Sequence, residues 1–111
     1  RKRPLHTIIP GMMVQGGRAV MPFGVMGGHY QAVGHVQLVT NLLDHGMDVQ
    51  EAIDCPRMMA EQDGSFEYER GVPAATIAEL ARMGHRPREA TRPIGGGQAI
   101  FIDWSRGVLT G

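Results

Sequence analysis

Gly24-Val25-Met26-Gly27-Gly28-His29-Tyr30-Gln31 is the stretch on which the reading of this chain turns, because an apolar run passes through two adjacent glycines into a segment of helical periodicity. A strand that feeds a helix through such a joint makes an α/β or α+β arrangement. The joint also has chemical content. At a helix start the backbone N–H groups lack intrahelical acceptors and the macrodipole is positive, so a negative oxygen is stabilised there. Without Cβ atoms at Gly27 and Gly28 that oxygen can come close. The same device serves as a phosphate cradle or as an oxyanion hole, where one donor is worth about 2.7–4 kcal/mol in a transition state. A glycine pair on its own more often makes an ordinary turn, since glycine supplies unusual φ values. Neither the Lys-Ser/Thr that follows the glycines of a P-loop nor a Gly-x-Gly-x-x-Gly dinucleotide pattern is present. Gly95-Gly96-Gly97 precedes a strand-like run and reads as a turn.

Working outward, Ala19–Met26 is a strand, Gln15-Gly16-Gly17-Arg18 a tight turn, and His6–Val14 an extended segment bent at Pro10-Gly11, which together predict a hairpin. On the other side, Ala32, Val36, Val39, Leu43 and Met47, widened by Leu38 and Leu42, predict a helix over 30–47 whose stripe faces the core. Gly46 stops it. Asp48 and Glu51 form a capping box for a short second helix through Asp54, which Pro56 ends. Met58-Met59 and Phe66–Glu69 read as short strands around an Asp63-Gly64 turn. A third helix starts near Pro73, with Ala74, Ile77, Leu80 and Ala81 on one side and Gly84 beyond its end. The basic segment to Arg92 is read as connection, Gln98–Trp104 as one strand, and Ser105-Arg106-Gly107 as the turn into Val108–Thr110. The expectation is a single unit over residues 1–111.

The 111 residues, 42% hydrophobic and 20% charged, fit one ordinary domain. Eleven basic against eleven acidic side chains leave no net charge, so neither nucleic acid nor an acidic membrane surface is expected as a partner. The single cysteine, Cys55, excludes an internal disulfide and reads as a small hydrophobe beside Pro56. No apolar run reaches membrane-spanning length, and Arg1-Lys2-Arg3-Pro4 is unlike a signal sequence. No compartment follows from this, with a cytoplasmic location favoured over a periplasmic one. His6, His29, His35, His45 and His85 lack metal-ligand spacing, so no metal and no cofactor is expected.

A more specific pattern emerges when the motifs are taken in order. Arg3-Pro4-Leu5-His6-Thr7 with Pro10 is followed by Met26-Gly27-Gly28, Gln31 and Gly34-His35-Val36-Gln37. Then come Asn41-Leu42-Leu43-Asp44-x-Gly46-Met47-Asp48 and Gln50-Glu51-Ala52-x-Asp54-x-Pro56-Arg57, with Gly71-Val72-Pro73, Gly84-His85 and Gly97-Gln98-Ala99-Ile100 further on. Over nearly its whole length the chain resembles the γ-glutamyltransferase family, and within it the branch with His-Thr where better-known members have two serines.

That resemblance implies an αββα sandwich of the N-terminal nucleophile hydrolase type, made as a precursor that cuts itself into a large and a small subunit. The threonine exposed at the new N-terminus attacks a γ-glutamyl or related acyl amide, and its own amine serves as base. Carried over by position, Gly27 and Gly28 supply the oxyanion hole, and His6 and Thr7 contact the substrate. Histidine at position 6 leaves other acyl groups open, because a titratable ring replaces a small hydroxyl. Nothing here matches the family's nucleophile segment, so the chain is expected to be the C-terminal portion of a small subunit, inactive alone. Its partners would be the upstream portion and the large subunit, and self-association into a homo-oligomer stays open. The competing expectation is a non-catalytic α/β module for oligomerisation or anion binding.

Overall fold

Two glycines in succession reverse the chain for the first time. Gly16 and Gly17 have φ of +57° and +78°, the left-handed pair that matches the twist of a hairpin. The computed structural model, which describes Lys2 and residues 8–111, places strand β1 (Gly11–Gln15) antiparallel to β2 (Arg18–Met26) across this turn. A bulge between Met13 and Val14 shifts the register. Of the expected extended segment, residues 8–10 precede the strand and the strand runs from Gly11, while His6 and Thr7 lie outside the described residues. β2 also pairs antiparallel with β6 (Gly96–Ala99), giving a sheet of order β1-β2-β6.

Helix α1 (Tyr30–Leu43) lies against β2, and the closeness of that approach corrects the predicted core face. Val36 and Leu43 are each 68% exposed, and Ala32 is exposed as well. The buried positions are Tyr30, Gln31, Gly34, Leu38 and Asn41. At Gly34 a Cβ would stand 2.5 Å from Val25 Cγ1 and 2.6 Å from Tyr30 Cε1, so the helix meets the sheet where it is thinnest. α1 contains no charged residue, and hydropathy therefore could not separate its two apolar faces. It also ends four residues earlier than the periodicity predicts. Met47 N–H reaches back to Asn41 O at 3.0 Å around Gly46, whose φ is +65°, a Schellman-type stop.

Asp48 and Glu51 form the expected reciprocal box at the start of α2 (Val49–Asp54): Glu51 N–H donates to Asp48 Oδ1 at 2.8 Å and Asp48 N–H to Glu51 Oε2 at 3.0 Å. Buried Asn41 donates to Ala52 O at 3.3 Å, which ties α1 to α2 through a satisfied polar group.

The predicted strand Gln98–Trp104 is two strands. β6 ends at Ala99, Ile100 donates its N–H to Pro22 O, and β7 (Phe101–Asp103) pairs instead with β8 (Val108–Thr110). Gly96 and Gly97, read as part of a turn, lie inside β6. A Cβ at Gly97 would already stand 3.4 Å from Ile53, so a small residue suits the close packing.

In the β7–β8 turn Asp103 Oδ1 accepts Ser105 Oγ–H at 2.6 Å, Ser105 N–H at 3.0 Å and Arg106 N–H at 3.1 Å. These bonds, that from the Ser105 hydroxyl above all, hold the Asp103 carboxyl below the ordinary value. A depressed carboxylate stabilises the turn at pH above the unfolded value of about 3.9 and loses that effect as pH falls through the folded one. In an acid titration followed by NMR, the Ser105 and Arg106 amide shifts should therefore move with a midpoint below about 3.9. A midpoint at or above it would contradict the turn geometry.

The chain divides into two compact units, residues 1–53 with 95–111 and residues 54–94. In the second, β3 (Met58–Ala60) pairs antiparallel with β4 (Ser65–Tyr68), as expected, across the Gly64 turn. α3 (Ala74–Arg82) begins after Pro73 and leads to β5 (Arg86–Glu89), which pairs parallel to β4. Ile77 and Leu80 are half-buried, and no α3 residue is fully buried. The strand β5, sequence Arg-Pro-Arg-Glu, is exposed throughout and was read as connection, because charge and proline hide an edge strand from a hydropathy pattern. Phe66 fills this unit's core, with the His85 ring edge-on at 6.2 Å. Glu69 joins its ends, accepting Arg57 N–H at 2.9 Å and Ile94 N–H at 2.6 Å and pairing with the Arg57 guanidinium at 3.5 Å.

Candidate active site

At the end of β2 the backbone does what only glycine does easily. Gly27 has φ of +135° and Gly28 of +59°, so both positions reject side chains on conformational grounds. Their carbonyls close the first turn of α1, with Tyr30 N–H donating to Gly27 O at 3.1 Å and Gln31 N–H to Gly28 O at 3.2 Å. Their own N–H groups have no acceptor among the described residues. His29 at the N-cap makes no side-chain capping bond, and the first turn holds no acidic side chain, so α1's own first turn does not offset its positive end.

The two glycines differ in surroundings. A Cβ at Gly27 would stand 3.0 Å from Gly95 Cα and 3.2 Å from Tyr30, whereas one at Gly28 would meet nothing within 4 Å. Gly27 is backed by the fold and Gly28 opens outward. Beside them, a cleft of about 930 Å³ runs along β2 to Met26, the residue before Gly27, with Ile8, Met12, Gln31, Gln98 and Ile100 in its walls. Among the described residues no lysine, arginine, aspartate, glutamate or histidine side chain lines it.

His6 and Thr7, the other expected site residues, lie outside the described residues. Of the histidines, His35 bonds Gln31 O through Nδ1 at 2.7 Å and packs against Phe23 with ring centroids 5.4 Å apart, both structural contacts. Cys55 is a half-buried free thiol. Among the described residues no three His, Cys, Asp or Glu side chains converge as a metal site, and no helix is long and apolar enough to cross a membrane. Tyr30 and Gly95 border the glycine pair, and sequence reading did not single them out for it. Their one signal was the crowding of glycines around 95–97.

Compared with known proteins, residues 1–110 match the sequence profile of Gamma-glutamyltranspeptidase. The chain belongs to the γ-glutamyltranspeptidase family. It is 30% identical over 110 residues to the glutathione hydrolase proenzyme of Bacillus subtilis, and 34% identical to the acylase ACY 1 proenzyme of a Pseudomonas species. Each match covers 99% of this chain and 19% of the relative, so the chain spans about a fifth of the length of these curated relatives. Among solved structures it superposes on a γ-glutamyltranspeptidase mutant of Helicobacter pylori with a TM-score of 0.86 at 25% identity, covering 98% of this chain and 60% of that one. It superposes equally well, at 0.86 and 37% identity, on a cephalosporin acylase of Bacillus halodurans, covering 94% of this chain and 20% of that one. The α/β fold class read from the sequence is that of the γ-glutamyltranspeptidase family.

Proposed function

We propose that residues 1–111 form the C-terminal portion of the small subunit of a γ-glutamyltranspeptidase-type acyltransferase or amidohydrolase, with Gly27 and Gly28 as its oxyanion hole. The observation that carries this reading is the pair of consecutive N–H groups, without acceptors among the described residues, at the uncapped start of α1. The nucleophile comes from outside this chain, as the N-terminal threonine of the small subunit, and the large subunit completes the enzyme. When the threonine hydroxyl adds to the amide carbon, the carbonyl oxygen takes on negative charge. Two preoriented donors stabilise that oxygen without reorganisation. The threonine amine takes the hydroxyl proton and returns it to the departing amine, leaving an acyl-enzyme that water or an amine acceptor resolves. His6 and Thr7 contact the acyl group. Relatives named as a glutathione hydrolase and an acylase support γ-glutamyl and other acyl amides as the substrate class.

Reconstitution tests the reading. The chain alone should release no product from γ-glutamyl or glutaryl anilides, and mixing it with separately made upstream small-subunit and large-subunit polypeptides should restore turnover. Turnover by the chain alone, or none from a mixture that assembles into one particle, would overturn it.

A further inference from the structure

Resting on the oxyanion reading, we propose that Gly95 and Tyr30 are positioning residues that set the direction of the Gly27 N–H. Tyr30 is 2% exposed, the most completely buried large side chain described. Its ring is enclosed by glycines from three places in the sequence. A Cβ would stand 3.2 Å from Tyr30 at Gly27, 2.6 Å from Cε1 at Gly34, and 2.8 Å from Cδ1 at Gly95. The hydroxyl donates to Gln37 Oε1 at 2.8 Å, about two turns along α1, which fixes the ring's long axis.

Gly95 supplies the other wall. Its φ is +69°, and a Cβ there would come within 2.2 Å of Met26 O, a backbone atom that cannot swing aside as a side-chain end can. That carbonyl and the Gly27 N–H belong to one planar peptide unit. A push on Met26 O therefore rotates the Gly27 N–H with it. The contact lies at the end of the β2–β6 ladder, whose last pair is Met26 and Gly96. Gly28, with nothing within 4 Å of its Cβ position, takes its direction from Gly27. Gly27 is thus bordered by an aromatic ring on one side and a bare Cα on the other.

The experiment compares four variants in the assembled enzyme. Gly95→Ala should lower kcat roughly 10- to 100-fold with KM within about twofold, the signature of an interaction made in the transition state alone. Gly107→Ala carries the same backbone burden, at φ of +66°, but a Cβ there meets nothing within 4 Å, so its kcat should stay at the parent value. Tyr30→Leu should lower kcat as Gly95→Ala does, and Tyr30→Phe, which keeps the ring, should recover most of that loss. Equal kcat for Gly95→Ala and Gly107→Ala would overturn the proposal. If Gly95→Ala does not fold, the Tyr30 pair decides: loss in both variants through thermal stability, with kcat per folded molecule unchanged, would also overturn it. Gly28→Val, measured beside them, separates the two readings. A parent-like kcat there removes the oxyanion hole itself, whereas a low one beside a parent-like Gly95→Ala removes only the positioning role.

Discussion

Gly28→Val should lower kcat of the assembled enzyme by about 10²–10³-fold, the range expected when one preorganised donor is lost from an oxyanion hole. Valine enters a position whose φ is +59° and whose Cβ direction is open, so no atomic overlap expels it. A β-branched residue is nonetheless strained by about 1–3 kcal/mol in this region, and the chain relieves the strain by moving φ toward negative values. That movement turns the N–H groups of the joint apart. The same strain without the site is available at Gly64, where φ is +81° and the surroundings are again open. Gly64→Val should therefore cost comparable stability and leave kcat unchanged. Steady-state kinetics and thermal unfolding of the two variants side by side check the expectation. Similar kcat values in both would remove Gly28 from the catalytic account.

Leu38→Ala should destabilise the chain by about 2–5 kcal/mol in equilibrium urea unfolding, enough to unfold a marginal domain outright. Leu38 is 4% exposed in the middle of the α1 face that meets β2, so truncation leaves a cavity between helix and sheet. Val36, two residues earlier and 68% exposed, should change stability by no more than about 0.5 kcal/mol when cut to alanine. The pair reads which face of α1 is buried. Equal costs, or a larger cost at Val36, would contradict the burial of the Leu38 side of the helix.

What could be read from the residues alone follows from how local the determining forces are. The hairpin at Gly16-Gly17 and the capping box of Asp48 and Glu51 are decided by a few neighbouring residues and stand as expected, and Gly46 turns the chain after α1 although the helix itself ends at Leu43. The buried face of α1 is decided by contact between Gly34 and Val25, nine residues apart: of the stripe read from hydropathy Leu38 is buried, whereas Ala32, Val36 and Leu43 face outward. β5 is hidden from a hydropathy pattern because it pairs with β4 along one edge while its side chains stay in water. Continuous apolar character made one strand of β6 and β7, although the break at Ile100 sends them to different sheets. The site shows the same division. Gly27 and Gly28 were legible because their conformation needs glycine whatever surrounds them, whereas the backing by Gly95 depends on a contact across 68 positions of sequence.

The character of β5 has a further consequence for colloidal behaviour. An outer strand made of Arg86, Pro87, Arg88 and Glu89 is a poor template for a strand from another molecule, because it presents charge and lacks one amide hydrogen. β8, with Val108 and Leu109 exposed in a two-stranded ribbon, carries neither charge nor proline. Strand-on-strand association of this polypeptide, in concentrated solution, would start at uncharged edges such as β1 and β8 and not at β5.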